Sequence, residues 1–124
     1  MKFLLIEDNE EMRRMLRTLI EDMADQIHEC SDGAEAIAAY GRYLPDWVLI
    51  DIRLKEKDGI AVAAEIKALF PKARILIVTD YDDEELREQA LRAGACACVL
   101  KENLLEMREV LFNRRPRSMK RDAS

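Results

Sequence analysis

The sequence predicts an α/β fold, in which one parallel sheet is covered by helices on both faces. Four short, mostly apolar runs predict strands that are buried on both sides, and these lie at residues 2–6, 47–50, 75–78 and 95–100. A fifth and more polar strand is predicted at residues 26–30, as is typical near a sheet edge. Strands and helical segments alternate five times with short connections, so right-handed crossovers should make the sheet parallel.

The helices are predicted from apolar residues that recur every three or four positions. In the first helix these residues form one stripe, which consists of Met12, Leu16, Leu19, Ile20 and Met23. The other four helices are predicted at residues 34–43, 60–70, 84–93 and 104–113. Helix starts are indicated where a short polar residue precedes an acid by three positions, or precedes an acidic first turn. The predicted caps are Asp32 with Glu35, Asp82 with Glu85, Asn103 with Glu106, and Asn9.

Size and composition bound the class of protein. The 124 residues fit one domain, and a 49% hydrophobic content is ordinary for a globular chain with its own core. The first apolar run is too short for a signal peptide, and no run approaches the roughly 18 residues of a membrane span. Three cysteines, an odd number at unrelated spacings, favour reduced thiols. These features predict a cytoplasmic protein that does not bind a membrane.

Charge is unevenly distributed along the chain. The formal net charge is −5, but residues 114–124 carry five Lys or Arg against one Asp, which leaves −9 for residues 1–113. Non-specific nucleic-acid binding depends on Lys and Arg that neutralise phosphates, so the acidic part is not expected to bind nucleic acid itself. We predict one domain at residues 1–113, followed by a basic C-terminal tail or the start of a linker at residues 114–124.

Polar residues follow or end four of the predicted strands. Ligand sites of open parallel sheets form beyond the carboxyl ends of the strands, where the strand order reverses. Strand 1 is followed by Glu7 and Asp8, strand 3 by Asp51, strand 4 by Thr79 and strand 5 by Lys101. Three acids, a hydroxyl and an amine are therefore expected in one pocket.

The three acids predict a cation site. Two carboxylates about 4 Å apart repel by roughly 4 kcal/mol at an effective dielectric constant of about 20, so three do not stay ionised together without a counter-charge. Oxygen ligands suit Mg²⁺, which completes its shell with water and phosphoryl oxygens. Lys101 can then neutralise one phosphoryl oxygen and Thr79 can donate to another. A carboxylate can itself be the nucleophile that takes a phosphoryl group.

Together these residues resemble the receiver domain of two-component response regulators. The likeness covers about residues 2–113 and rests on the order of the marks along the chain. The marks are Glu7 with Asp8, Asp51, Asp58 with Gly59, Thr79 and Lys101. The resemblance implies a flavodoxin-like (βα)5 three-layer sandwich with sheet order 2-1-3-4-5. It also implies that Asp51 is phosphorylated, with Thr79 and Lys101 acting on the phosphoryl group. The implied Mg²⁺ site consists of Asp8, Asp51, the Arg53 carbonyl and, partly through water, Glu7.

The implied function is signalling rather than enzymatic turnover. A sensor histidine kinase or phosphotransfer protein would phosphorylate Asp51, and the face of helix 4, strand 5 and helix 5 would change its affinity for a partner or a second protomer. Such a domain catalyses only its own phosphorylation and dephosphorylation. It would regulate transcription through a DNA-binding effector domain absent from this chain, or act as a stand-alone adapter. Two less favoured hypotheses are a Mg²⁺-dependent phosphohydrolase and a non-phosphorylated pseudo-receiver, although hydrolases usually carry an acid where this chain has Arg53.

Four positions depart from the pattern usual in the family. Lys55 and Glu102 stand where prolines are common, and receivers attached to four-helix helix-turn-helix effectors often lack the second proline. Asp80 replaces the small residue that usually follows the switch threonine, and its carboxylate would repel a phosphoryl group. Cys98 replaces the aromatic residue three positions before the lysine. We therefore expect weaker coupling between the phosphorylation site and the signalling face.

Overall fold

A computed structural model shows a five-stranded parallel sheet with helices on both faces, and it describes residues 1–54 and 58–113. The strands are β1 (Lys2–Ile6), β2 (Gln26–Cys30), β3 (Trp47–Asp51), β4 (Ile75–Thr79) and β5 (Ala97–Leu100). The helices are α1 (Glu10–Ile20), α2 (Gly33–Tyr43), α3 (Gly59–Leu69), α4 (Glu84–Arg92) and α5 (Leu104–Asn113). Strands and helices alternate five times along the chain, and the predicted fold class is therefore confirmed.

The strand order is β2-β1-β3-β4-β5, and every pair of neighbours is parallel. The order reverses at β1, which pairs with β2 on one side and with β3 on the other. The register aligns Ile6 with Ile50, and Thr79 with Leu100. The residues at the carboxyl ends of the strands therefore meet at one edge of the sheet.

The strand side chains alternate between two hydrophobic cores, one on each face of the sheet. In β1, Leu4 and Ile6 pack into the core under α2, α3 and α4, whereas Phe3 and Leu5 pack into the core under α1 and α5. All five residues of β3 and of β4 are buried. Burial of each large apolar side chain stabilises the fold by roughly 1.5–3 kcal/mol.

Three helix starts have the predicted caps. The Oδ1 atom of Asn9 accepts a hydrogen bond from the Met12 amide at 2.9 Å, and Asp32 accepts one from the Glu35 amide at 2.9 Å. At the start of α5, Oδ1 of Asn103 accepts from the Glu106 amide at 3.2 Å, and the Asn103 side-chain amide donates to the Glu106 carboxylate at 3.0 Å. These bonds satisfy backbone donors that would otherwise lack partners.

The predicted cap of α4 was wrong by one residue. Asp83, not Asp82, accepts hydrogen bonds from the amides of Glu85 and Leu86, at 2.9 and 3.3 Å. Asp82 instead lies 3.4 Å from the Arg87 guanidinium. Two consecutive aspartates offer the same chemistry, so only the helix geometry decides which one caps.

Several boundaries differ from the prediction by one to three residues. The α-helix α1 ends at Ile20, and a 3₁₀ turn covers Glu21–Met23. β5 begins at Ala97 rather than Ala95, because the Ala95 amide donates to the Ala90 carbonyl at 3.1 Å and so still belongs to the end of α4. β3 and β4 each extend one residue further than predicted, and Asp51 and Thr79 are their last residues.

Some of the predictions fall on residues that the structure does not describe. Lys55 and residues 114–124 lie outside the described residues, so the predicted linker or tail stays a prediction. Within residues 1–54 and 58–113, no helix combines the length and the apolar character needed to cross a bilayer.

Candidate functional site

The carboxyl ends of β1, β3 and β5 bring four of the predicted site residues into one pocket. One carboxylate oxygen from each of Glu7, Asp8 and Asp51 lies within 4.8 Å of the other two. The Lys101 ammonium lies 3.1 Å from Oδ2 of Asp51 and 3.6 Å from Oε1 of Glu7. The acids and the amine predicted from the strand ends are therefore neighbours in the structure.

Glu7 is fully buried, which makes its charge the most costly in the pocket. Burial, together with a hydrogen bond to Asp51 and repulsion from its carboxylate, raises the pKa of Glu7 from 4.5 to about 8. The Lys101 ammonium and the Asn9 amide lower this pKa only in part. At neutral pH the pocket therefore favours a proton on Glu7 when no cation balances the acids.

Lys101 provides positive charge inside the pocket. Burial lowers the pKa of Lys101, but the nearby acids Glu7, Asp51 and Asp80 outweigh this, so that its pKa lies above the ordinary value. The Lys101 backbone amide also donates to the carbonyl of Thr79 at 2.8 Å. The ammonium is thus charged at physiological pH, and the Lys101 backbone is held at the end of β4.

The donor set fits a hard divalent cation. The acids line a cleft of about 690 Å³, whose lining also includes Asn9, Arg53, Asp80 and Lys101. Oε1 of Glu7 is buried and has no hydrogen-bond donor among the described residues. Carboxylate oxygens that converge without enough donors are the ligands that Mg²⁺ accepts.

The loop after β3 approaches Asp51 closely and ends at the predicted Asp58, and the predicted Gly59 is the first residue of α3. The Arg53 amide donates to Oδ1 of Asp51 at 3.2 Å, and Arg53 forms an antiparallel bridge with Asp58. The Gly59 amide donates to the Ile52 carbonyl at 2.9 Å. A Cβ atom on Gly59 would overlap the Asp51 carbonyl and lie 2.9 Å from Cα of Ile52. Only glycine therefore permits this approach of α3 to the end of β3.

Thr79 lies at the end of β4 and is buried. Its hydroxyl oxygen accepts a hydrogen bond from the Tyr81 amide at 3.1 Å. The Tyr81 ring is stacked under the Arg53 guanidinium, whose carbon lies 4.5 Å from the ring centroid, and the Tyr81 hydroxyl accepts a bond from Arg53. This contact joins the loops after β3 and β4. No sequence pattern predicted it, because neither side chain belongs to a periodic stripe or a capping motif.

The structure shows the surroundings of Asp80 and Cys98, two of the residues that depart from the pattern usual in the family. The Asp80 side chain is 65% exposed at the cleft rim, and its Oδ2 lies 3.7 Å from the Lys101 ammonium. The Asp80 carboxylate therefore does not fill the pocket, but it lies near the same Lys101 ammonium that contacts Asp51. Cys98 is buried in the core under α2, α3 and α4, and burial raises the pKa of its thiol.

The comparisons with known proteins agree with this geometry. A sequence model described as the response regulator receiver domain matches residues 3–111. The chain belongs to this family. It is 37% identical over 98 residues to the chemotaxis protein CheY of Halobacterium salinarum, a match that covers 79% of this chain and 82% of that protein.

Other relatives of this receiver domain are transcriptional regulators. It is 34% identical to the uncharacterized transcriptional regulatory protein YhcZ of Bacillus subtilis, over 89% of this chain but only 54% of that protein. A crystal structure of a LuxR-family two-component response regulator from Aurantimonas sp. SI85-9A1 has a TM-score of 0.81 and 28% identity, and covers 92% of this chain and 86% of that one. Receiver domains are signalling proteins rather than classical enzymes, and they bind Mg²⁺ at an acidic pocket.

Proposed function

We propose that Asp51 accepts a phosphoryl group from the phosphohistidine of a sensor histidine kinase or a phosphotransfer protein. The observation that carries this proposal is the contact between Asp51 and Lys101, 3.1 Å apart within a cluster of two further acids. The two Asp51 oxygens have different partners, since Oδ1 accepts from the Arg53 amide and Oδ2 faces Lys101. The nucleophile is thus oriented beside the cation that a phosphoryl group needs.

In the proposed reaction, an Asp51 oxygen forms a bond to phosphorus while the bond from phosphorus to the donor imidazole nitrogen breaks. The Lys101 ammonium stabilises charge on the phosphoryl oxygens. Asp8, Asp51, the Arg53 carbonyl and, partly through water, Glu7 would hold Mg²⁺. When bound, this ion supplies charge neutralisation of the phosphoryl oxygens during transfer.

The proposed output is conformational. A phosphoryl group on Asp51 would attract Thr79 and Lys101, and the loop after β4 would shift. The face formed by α4, β5 and α5 would then change its affinity for a partner or a second protomer. Because Cys98 stands where the family usually has an aromatic residue, we propose weaker coupling to that face than in relatives with the aromatic.

Two proposals remain for the whole protein. The match to about half of YhcZ supports a transcription regulator whose DNA-binding effector domain lies outside this chain. The match to most of CheY supports a stand-alone adapter that acts through protein contacts. A hydrolase function is disfavoured, because the position expected for a second acid is occupied by Arg53, whose guanidinium contacts Tyr81. The length of the gene beyond Ser124 discriminates between the two proposals.

The test is phosphorylation by acetyl phosphate with Mg²⁺, followed by intact-mass measurement. We expect the wild type to gain the mass of one phosphoryl group and Asp51→Ala to gain none. Asp82→Ala is the matched control, since Asp82 is exposed and does not line the cleft, and it should be modified like the wild type. The same gain in Asp51→Ala, or no gain in the wild type, would reject Asp51 as the acceptor. Chelation of Mg²⁺ should abolish the reaction.

A further inference from the structure

Arg13 links helix α1 to the acidic pocket, and we propose that it is a positioning residue for the Mg²⁺ site. This inference rests on the proposed function. The Arg13 Nη1 donates to the backbone carbonyl of Glu7 at 2.6 Å. That carbonyl belongs to the peptide unit between Glu7 and Asp8, so the bond fixes the backbone that connects two of the three acids.

Arg13 is itself held in place. Its Nε atom donates to Oε1 of Glu29 at 3.2 Å, and Oε2 of Glu29 accepts from Nε of Arg17 at 2.8 Å. The Arg13 side chain is only 19% exposed, and it bridges α1, the end of β1 and the edge strand β2. A guanidinium that donates to a carboxylate and to a backbone carbonyl in different directions has little freedom to move.

The contacts of Glu7 show what Arg13 adds. The Glu7 amide donates to the Cys30 carbonyl at 3.0 Å, and Oε2 of Glu7 accepts from the Asn9 amide at 3.2 Å. With the Arg13 bond, the amide, the carbonyl and one carboxylate oxygen of Glu7 all have hydrogen-bond partners. Of these bonds, the one from Arg13 lies nearest to Asp8, because the Glu7 carbonyl and the Asp8 amide belong to the same peptide unit. Groups that orient metal ligands without touching the metal are commonly worth about 10–100-fold in metal affinity.

The direction in which Mg²⁺ affinity changes when Arg13 is removed distinguishes a positioning role from a purely electrostatic one. A guanidinium near an acidic pocket repels a cation, so if Arg13 acted only as a charge, its removal would strengthen Mg²⁺ binding. If Arg13 positions the ligands, its removal weakens Mg²⁺ binding. Arg17 is the matched control, because it carries the same charge and contacts the same Glu29, and its described hydrogen bond does not reach the Glu7 carbonyl.

The test is Mg²⁺ titration by calorimetry on the full chain, with Arg13→Ala, Arg13→Lys and Arg17→Ala beside the wild type. We expect Arg13→Ala to weaken Mg²⁺ binding by about tenfold, the lower end for orienting groups. Arg17→Ala should bind Mg²⁺ as the wild type does. Arg13→Lys should recover part of the loss, because an ammonium can still donate to the Glu7 carbonyl.

Two further measurements distinguish an effect on the Mg²⁺ site from a general loss of stability. The free energy of unfolding in EDTA reports any general loss of stability, and it should fall more in Arg13→Ala, which loses two hydrogen bonds, than in Arg17→Ala, which loses one, with both variants still folded under the titration conditions. In acetyl phosphate reactions, the Mg²⁺ concentration for half-maximal rate should rise in Arg13→Ala and should stay at the wild-type value in Arg17→Ala.

Each outcome is decisive. Unchanged or tighter Mg²⁺ binding in Arg13→Ala, or an equal loss in Arg17→Ala, would overturn the positioning role while leaving the proposed function intact. Should Arg13→Ala fail to fold, wild-type affinity in Arg13→Met, which fills similar space but has no donor for the Glu7 carbonyl, would overturn it equally. Absence of Mg²⁺ binding in the wild type would overturn the proposed Mg²⁺ site, and this inference with it.

Discussion

The two sides of the acidic pocket are held with different firmness. On one side, the α1 flank (residues 7–13) has a buried acid whose backbone and side chain both have fixed partners. On the other side, the α4 flank (residues 79–86) comprises the end of β4, its loop and the first turn of α4. There Asp80 and Tyr81 are exposed. The Asp80 carboxylate lies 3.7 Å from the Lys101 ammonium, which is further than the 3.1 Å between that ammonium and Asp51.

This difference matches the two tasks of a receiver domain. A metal site gains affinity when its ligands are oriented before the ion arrives, and this requires an ordered flank. A switch requires an element with few buried contacts that can adopt a second position. We therefore expect the α1 flank to orient the metal ligands, and the more exposed α4 flank to change position on phosphorylation.

The largest effect is expected from the buried charge on the α1 flank. The pKa of Glu7 is about 8 in the folded protein and 4.5 as its ordinary value, so the folded state binds an extra proton between these values. Without metal, the free energy of unfolding should therefore fall as pH rises from about 5 to about 8, by at most about 1.4 kcal/mol per pH unit for this one group. Lys101 does not oppose this trend. Its pKa is raised above the ordinary value of 10.5, so its ammonium stays protonated in both the folded and the unfolded state over this pH range.

Glu7→Gln tests this expectation. A glutamine resembles the protonated acid, so the variant should lose the slope and exceed the wild type in stability at the alkaline end. Chemical denaturation in EDTA over this pH range measures both. The control is Glu84→Gln on the α4 flank, an exposed acid whose replacement should preserve the wild-type slope. A wild-type slope in Glu7→Gln would mean that another group holds the proton.

The second prediction compares the helix caps of the two flanks. Asn9 caps α1 and Asp83 caps α4, each with its side-chain oxygen on backbone amides. Either Asn9→Ala or Asp83→Ala should lower the free energy of unfolding by about 1 kcal/mol. Only Asn9→Ala should also weaken Mg²⁺ binding, because it loosens the turn from which the Asn9 amide and Arg13 reach Glu7. Equal Mg²⁺ affinities in the two variants would remove the claimed difference between the flanks.

The sequence was sufficient for most of the fold because its patterns are strong. Apolar runs, one more polar segment and helical patterns located the five strands and five α-helices of the described residues, and three caps followed from residue type alone. The errors lie where neighbours are equivalent, as with Asp82 and Asp83, or where a helix end merges into a strand, as at Ala95. In such places backbone geometry decides, and the local sequence does not encode it uniquely.

The site was predictable only where its residues end strands. Asp51 and Lys101 are placed by the sheet itself, so the position of each strand was enough to bring them together. Arg13 reaches Glu7 from a helix, and Arg53 reaches Tyr81 from another loop, so both contacts depend on side-chain conformation and on the distance between elements. The raised pKa of Glu7 depends on burial, which becomes known only when the helices have packed.

The smallest effect is expected on the α4 flank, from Asp80. When Asp51 carries a phosphoryl group, the Asp80 carboxylate adds a like charge and competes for Lys101. Because exposed ion pairs are worth about 0.2–1 kcal/mol, Asp80→Ala should raise the phosphorylated fraction at steady state by up to about fivefold, and less at high salt. Intact mass after acetyl phosphate treatment at two salt concentrations measures this fraction.

Asp82→Ala serves again as the control, since Asp82 is exposed on the same flank and pairs with Arg87 instead of Lys101. An equal rise in both variants would indicate a general effect of net charge on the approach of the anionic donor. A rise confined to Asp80→Ala would show that the α4 flank limits phosphorylation through the shared ammonium. No change in Asp80→Ala would mean that this exposed carboxylate turns away from Lys101 in solution, and that the α4 flank contributes movement but no charge to the pocket.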